Sequence, residues 1–132
     1  MDLSKIDLDK KYPKLLYQNK LAFLAGVFEG EGSFGIWSSG KNNNKRYFRI
    51  QIEMSDKDVI CQFEDFFNLG TVYPRKPRQE HHKVIYNWRV NGENAVRCAY
   101  SMFPFWGDRR QQKFREVIKE LKKKYPPTPV KL

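Results

Sequence analysis

The sequence predicts an α+β domain with the element order αββαββα(α), in which a four-stranded antiparallel sheet carries its helices on one face. Three observations lead there. Two pairs of segments alternate apolar and polar residues with a period of two, each pair joined by a polar or proline-bearing loop. Before, between and after them lie stretches whose apolar residues recur three and four apart, as on one side of a helix. The chain itself has 132 residues, 40% hydrophobic and 15% aromatic, enough for one real core with little room for a second. Two hairpins in so short a chain suggest one sheet, covered by helices on one side and left open to a partner on the other.

Residues 1–19 are charged, with a short apolar cluster at Leu15, Leu16 and Tyr17, and read as a lead-in to a domain spanning 20–125. Asn19 is placed to cap the first helix. That helix, over 21–32, reads LAFLAGVFEGEG and has two apolar sides. Leu21, Leu24, Ala25 and Phe28 share one stripe, while Ala22, Gly26 and Gly30 line another. Glu29 is its only charged side chain between 21 and 30, which suits a helix packed on its own domain and against a second body. Glycine in a helix interior is unfavourable by about 1 kcal/mol relative to alanine, so Gly26 and Gly30, one turn apart, point to close approach by another helix. Glu31 then stands at the negative end of the helix dipole. A symmetric partner helix crossing there brings a second Glu31 beside it, and that arrangement asks for a cation.

Phe34 and Ile36 alternate with Gly35 and Trp37 as in a strand, and after a polar turn at 39–45 the chain returns with Phe48, Ile50 and Ile52 on one face and Tyr47, Arg49 and Gln51 on the other. Ser55-Asp56-Lys57-Asp58 resembles a capping box, opening a helix with a stripe of Val59, Ile60, Phe63, Phe66 and Phe67 that Asn68-Leu69-Gly70 closes. Strands are expected at 71–75 and 83–90, the second with Val84, Tyr86, Trp88 and Val90 inward. Asn91 is placed to cap a helix through Met102, stopped by Pro104. Asp108 with Gln111 starts a last helix that gathers Phe114, Val117, Ile118 and Leu121. Proline and lysine mark 126–132 as a disordered tail.

Lys and Arg number 25 against 15 Asp and Glu, a net charge of +10, which points to a polyanion such as nucleic acid. No apolar run approaches the roughly 20 residues of a spanning helix, and no signal peptide opens the chain, so an intracellular location is expected. Cys61 and Cys98 lack metal-site spacing and read as buried thiols in helices. His81-His82 has no further histidine to complete a metal nuclease site and reads as a loop pair. The outward positions of the strands gather Trp37, Ser39, Tyr47, Arg49, Gln51, Tyr73, Arg75, Lys83, Asn87 and Arg89, with Lys41, Lys45, Arg46, Lys76 and Arg78 in the loops. A two-stranded ribbon fits the major groove, where Arg reads guanine and Asn or Gln reads adenine while loop cations engage phosphates.

Leu24-Ala25-Gly26-Val27-Phe28-Glu29-Gly30-Glu31-Gly32 resembles the motif that names the LAGLIDADG homing endonucleases, matching it at Leu24, Ala25, Gly26 and Gly32. The resemblance implies that this helix forms the subunit interface through Ala22, Gly26 and Gly30. It also implies that the acid at the eighth position, Glu31, holds the catalytic metal with help from the Gly30 carbonyl oxygen. Glu29, at the sixth position, takes a structural part. One motif per chain implies a homodimer cutting both strands of a long, pseudo-palindromic site to leave 3′ overhangs, with the sheet as the DNA-binding saddle. Mg²⁺ is the expected cofactor, with Mn²⁺ able to substitute. The family's basic residue near the site corresponds to Arg109, with Arg110 close behind. The same fold also serves as an RNA-binding intron maturase or a non-catalytic DNA-binding regulator, and metal-dependent cutting separates these readings.

Overall fold

A computed structural model of the chain describes residues 2–7, 9, 17–38, 45–76 and 83–124. Ser39, Lys41, Arg78, the His81-His82 pair and the tail from 126 lie outside these. The elements are α1 (Tyr17–Glu31), β1 (Gly32–Ser38), β2 (Arg46–Met54), α2 (Lys57–Phe67), β3 (Thr71–Arg75), β4 (Ile85–Asn91), α3 (Glu93–Met102) and α4 (Asp108–Lys124), with a 3-10 turn at Phe103–Phe105. This is the order the periodicities predict. The four strands form one antiparallel sheet in the order β1-β2-β4-β3.

The two-residue period of the strands sorts their side chains onto two faces. Phe34, Phe48, Ile50, Ile52, Trp88 and Val90 point toward the helices and are buried there with Leu21, Leu24, Ala25 and Phe28 of α1. Ile60 and Phe63 of α2, Ala95, Cys98, Ala99 and Met102 of α3, and Phe114 of α4 complete the core. Trp106, just before α4, stacks on both Phe28 and Phe34 (ring centroids 5.4 and 5.5 Å) and so locks the motif helix to the first strand.

Local signals hold in part. Asp56 caps α2 by accepting from the Val59 amide at 3.2 Å, and Asn68 closes it in the left-handed region (φ 52°). Asn19 does not cap α1 but lies inside it, after Tyr17, whose ring packs on Phe66 (4.9 Å). Asn91 does not cap α3: it ends β4, Gly92 takes the cap position, and the Asn91 side chain instead accepts from Arg49. Gln111 likewise turns its side chain away from any capping role, donating to the Phe103 carbonyl at 2.9 Å. Val84 precedes β4 and is exposed, and Cys61 is only half-buried while Cys98 is enclosed. Among the described residues no helix is long and apolar enough to cross a membrane.

Candidate active site and nucleic-acid interface

α1 passes into β1 with no intervening residue, Glu31 ending the helix and Gly32 opening the strand. The passage needs glycine. A Cβ on Gly32 would lie 2.4–2.5 Å from the ring of Phe28, which is fully buried and held by Trp106.

Two carboxylates flank Gly30, and the structure gives them different work. Glu29 is engaged: its carboxylate accepts from the Gly107 amide (3.3 Å) and lies 3.5 Å from Arg110 Nε, while its carbonyl oxygen accepts from Arg110 Nη2 at 3.0 Å. Arg110 is mostly enclosed and rests over Phe28, Phe34 and Trp106. Burial lowers its pKa from the ordinary guanidinium value, Glu29 opposes that, and neighbouring Arg109 adds to it. Glu31 is exposed and, among the described residues, makes no hydrogen bond or ion pair. Thus Arg110 ties α4 to α1 through Glu29, and Glu31 is left available.

A cleft of about 90 Å³ is lined by Arg109, Arg110 and Lys113 of α4 and by Gly32 and Ser33, the residues that follow Glu31 in the chain. Arg109 is exposed in this cleft and, among the described residues, makes no ion pair with Glu29. Lys113 was not anticipated, although its place one turn after Arg109 on α4 was there to be read. The cleft's two exposed cations, Arg109 and Lys113, are chemically suited to a phosphate, and the uncommitted carboxylate of Glu31 precedes its Gly32 edge in the chain.

The described donors of one chain do not complete a cation site. Among the described residues no group of three His, Cys, Asp or Glu side chains converges, whereas divalent cations take six or more oxygen ligands. Glu31 and the Gly30 carbonyl are hard oxygen donors of the right chemistry, and a second copy of each with phosphate oxygens would supply what is lacking. The outer side of α1 is open to such a copy. A Cβ placed on Gly26 or Gly30 would meet nothing within 4 Å, both glycines are exposed, Ala22 is half-buried, and Phe23 beside them is 43% exposed.

The uncovered face of the sheet carries Trp37, Tyr47, Arg49, Gln51, Tyr73, Arg75, Asn87 and Arg89 together, as the period of two requires. Lys45, Lys76 and Lys83 are exposed at strand ends. Two expectations are corrected. Asn87 is 1% exposed and gives its Nδ2 to Glu53 Oε1 at 2.8 Å, so it is enclosed in the face and not presented to a base. Arg46 is the first residue of β2, not a loop residue, and shares the pleat of Phe48, which sends it to the helix side beside Glu93, Val96 and Leu121. Glu53, the one acid on the open face among the described residues, also pairs with Arg75 at 3.2 Å. Arg89 rests over Tyr73 (5.4 Å).

The family model described as LAGLIDADG endonuclease matches residues 24–104, well over half of the chain. The chain belongs to that family. It is thus a LAGLIDADG endonuclease. Solved structures share the fold of this LAGLIDADG chain at low identity. The homing endonuclease I-CvuI, in complex with its target in the presence of calcium, is 18% identical with a TM-score of 0.61, covering 83% of this chain and 73% of that one. The archaeal intron-encoded homing endonuclease I-Vdi141I, complexed with DNA, is 14% identical with a TM-score of 0.58 over 89% of this chain and 91% of that one. I-TnaI, another homing endonuclease, is 18% identical with a TM-score of 0.59 over 83% and 73%. No curated protein matches the chain in sequence.

Proposed function

We propose that this LAGLIDADG endonuclease acts as a homodimer that cuts both strands of a long, pseudo-palindromic duplex, with Mg²⁺ bound at Glu31. The observation that carries the reading is the division of labour around Gly30: Glu29 is committed to Arg110 and Gly107, while Glu31 is free at the end of a helix whose glycine side is bare. A twofold axis at Gly26 and Gly30 brings the two Glu31 carboxylates together, each with its Gly30 carbonyl oxygen, and completes the ligand set that one chain lacks.

The bound ions supply Lewis acidity and lower the pKa of the attacking water. The chain's own groups hold the substrate for that chemistry. Arg109 faces the phosphate as charge builds on it, and Lys113 contributes a second positive charge from the same side of the cleft. Arg110 is a positioning residue, since its contacts with Glu29 fix where α4 begins. The open sheet face holds the duplex through Trp37, Tyr47, Arg49, Gln51, Tyr73, Arg75 and Arg89, with Lys45, Lys76 and Lys83 at its rim toward phosphates. Ser39, Lys41 and Arg78, outside the described residues, are assigned to DNA contact from the sequence alone.

The test is a duplex that joins the host sequences flanking the reading frame, incubated with Mg²⁺ or with EDTA, beside Glu31→Gln. Metal-dependent double-strand cutting that vanishes in the variant is the expected result. Equal cutting by Glu31→Gln removes the metal assignment, and tight binding without cutting moves the chain to the DNA-regulator or intron-RNA maturase reading.

A further inference from the structure

Arg49 stands in the middle of β2 on the open face of the sheet and is held from three strands. Its Nε donates to Asn91 Oδ1 of β4 at 2.8 Å, and its Nη2 donates to the Tyr47 hydroxyl at 2.9 Å. Its guanidinium lies 4.9 Å from the ring centre of Trp37 on β1 and 5.5 Å from that of Tyr47. Gly35 is directly opposite Arg49 in the β1–β2 register. Glycine there leaves room for Trp37, because a Cβ at Gly35 would lie 3.2 Å from the Trp37 ring. The two tryptophan and tyrosine rings thus serve as walls for an arginine.

The other arginines of the face are set differently. Arg75 is paired with Glu53, and the Nε of Arg89 is enclosed without a partner. Arg49 alone among them has its side edge anchored by neutral groups that leave its charge uncompensated. The anchors use the Nε hydrogen and one hydrogen of Nη2, so the free donors are those at the end of the fork, on Nη1 and Nη2. An end-on pair of this kind fits the O6 and N7 acceptors of guanine, and it also fits two phosphate oxygens. Position favours the base. Arg49 lies at a strand centre between Gly35 and Asn91, whereas phosphates line the rims of the groove that a β-ribbon enters. A side chain already fixed before binding loses little rotamer freedom when it docks, which suits a contact that must discriminate.

We propose that Arg49 is a specificity-determining residue that reads a guanine edge in the major groove, aimed by Trp37, Tyr47 and Asn91. The inference rests on the DNA endonuclease reading above. Its test uses the duplex that the intact protein cuts, with each base pair replaced in turn by the other three, and follows binding and cleavage by the unaltered chain, Arg49→Lys, Arg49→Met and Asn91→Ala. For the unaltered chain, one G·C pair in each half-site loses about tenfold or more when changed. In Arg49→Met and Arg49→Lys that penalty disappears while the penalties elsewhere remain, and Asn91→Ala reduces it. Arg49→Lys keeps the charge and the sheet, so loss of discrimination there separates aim from folding. Uniform weakening at every position with a shallower salt dependence shows a phosphate contact and overturns the proposal, as does an unchanged profile. Failure of the unaltered chain to bind or cut any duplex overturns the endonuclease reading itself, a result distinct from either.

Discussion

Arg110 grips Glu29 twice, through the carbonyl oxygen at 3.0 Å and the carboxylate at 3.5 Å, and by doing so separates two glutamates that stand only two residues apart. Glu29→Gln leaves a largely enclosed guanidinium without its counter-charge, which costs about 1–3 kcal/mol. Thermal denaturation is expected to show a fall of several degrees. Glu31 makes no hydrogen bond or ion pair among the described residues, so Glu31→Gln is expected to leave the melting temperature in place while cleavage is lost. An exchange of the two outcomes would exchange the two roles.

Gly26→Leu is expected to leave the circular dichroism of the chain unchanged, because nothing stands within 4 Å of the new Cβ. In sedimentation the proposed dimer is expected to give way to a monomer, and double-strand cutting to go with it. Gly26→Ala separates the readings by sign: on an open helix alanine gains up to about 1 kcal/mol over glycine, whereas at a close helix crossing it weakens association.

Gly32→Ala carries the opposite signature. Its Cβ would overlap the Phe28 ring at 2.4–2.5 Å, with Trp106 stacked on Phe28 and no free end to yield. Overpacking of this sort costs about 1–3 kcal/mol. Chemical denaturation is expected to show that loss, with the Trp106 environment altered in fluorescence.

Arg109→Ala leaves stability and duplex binding nearly unchanged, since Arg109 is exposed and Glu29 belongs to Arg110. Single-turnover cleavage slows by about 10²–10³, the effect of removing one charge-stabilising donor from a site. An equal fall in binding and in cleavage rate would place Arg109 on the flanking backbone and not at the scissile phosphate.

Burial pushes the Cys98 thiol up to about 12, above its ordinary 9.0. The folded state therefore keeps a proton that the unfolded chain releases, so this contribution to stability is whole below about pH 9 and declines as pH rises toward 12. A thiol reagent at pH 8 is expected to spare Cys98 in the native protein and to modify it after denaturation. Half-buried Cys61 reacts first.

The fold was legible because both periods were clean. Phe48, Ile50 and Ile52 could lie on one side of β2 only, and Leu21, Leu24, Ala25 and Phe28 could share only one stripe of α1. Single-residue chemistry was less so. Asn87 and Arg89 read alike as outward polar residues, yet Glu53 across the strand pair engages Asn87, which is enclosed within the open face, and a cross-strand partner has no mark in the linear sequence. Arg109 and Arg110 are neighbours with the same side chain, and only the course of α4 past Glu29 tells them apart. Asn91 looked like a helix cap and became the anchor of Arg49, because register placed the two opposite each other.

Glu31 and Gly32 are joined by a single peptide bond, with the helix on one side of it and the strand on the other. The end of the helix that carries the acid and the ribbon that carries Trp37 are therefore one continuous piece, with no loop whose length could drift. Evolution of a new target can rewrite side chains along the ribbon, but the number of base pairs between the bond that is cut and the bases that are read works like the graduations on a ruler, set by backbone geometry and hard to change without breaking the instrument.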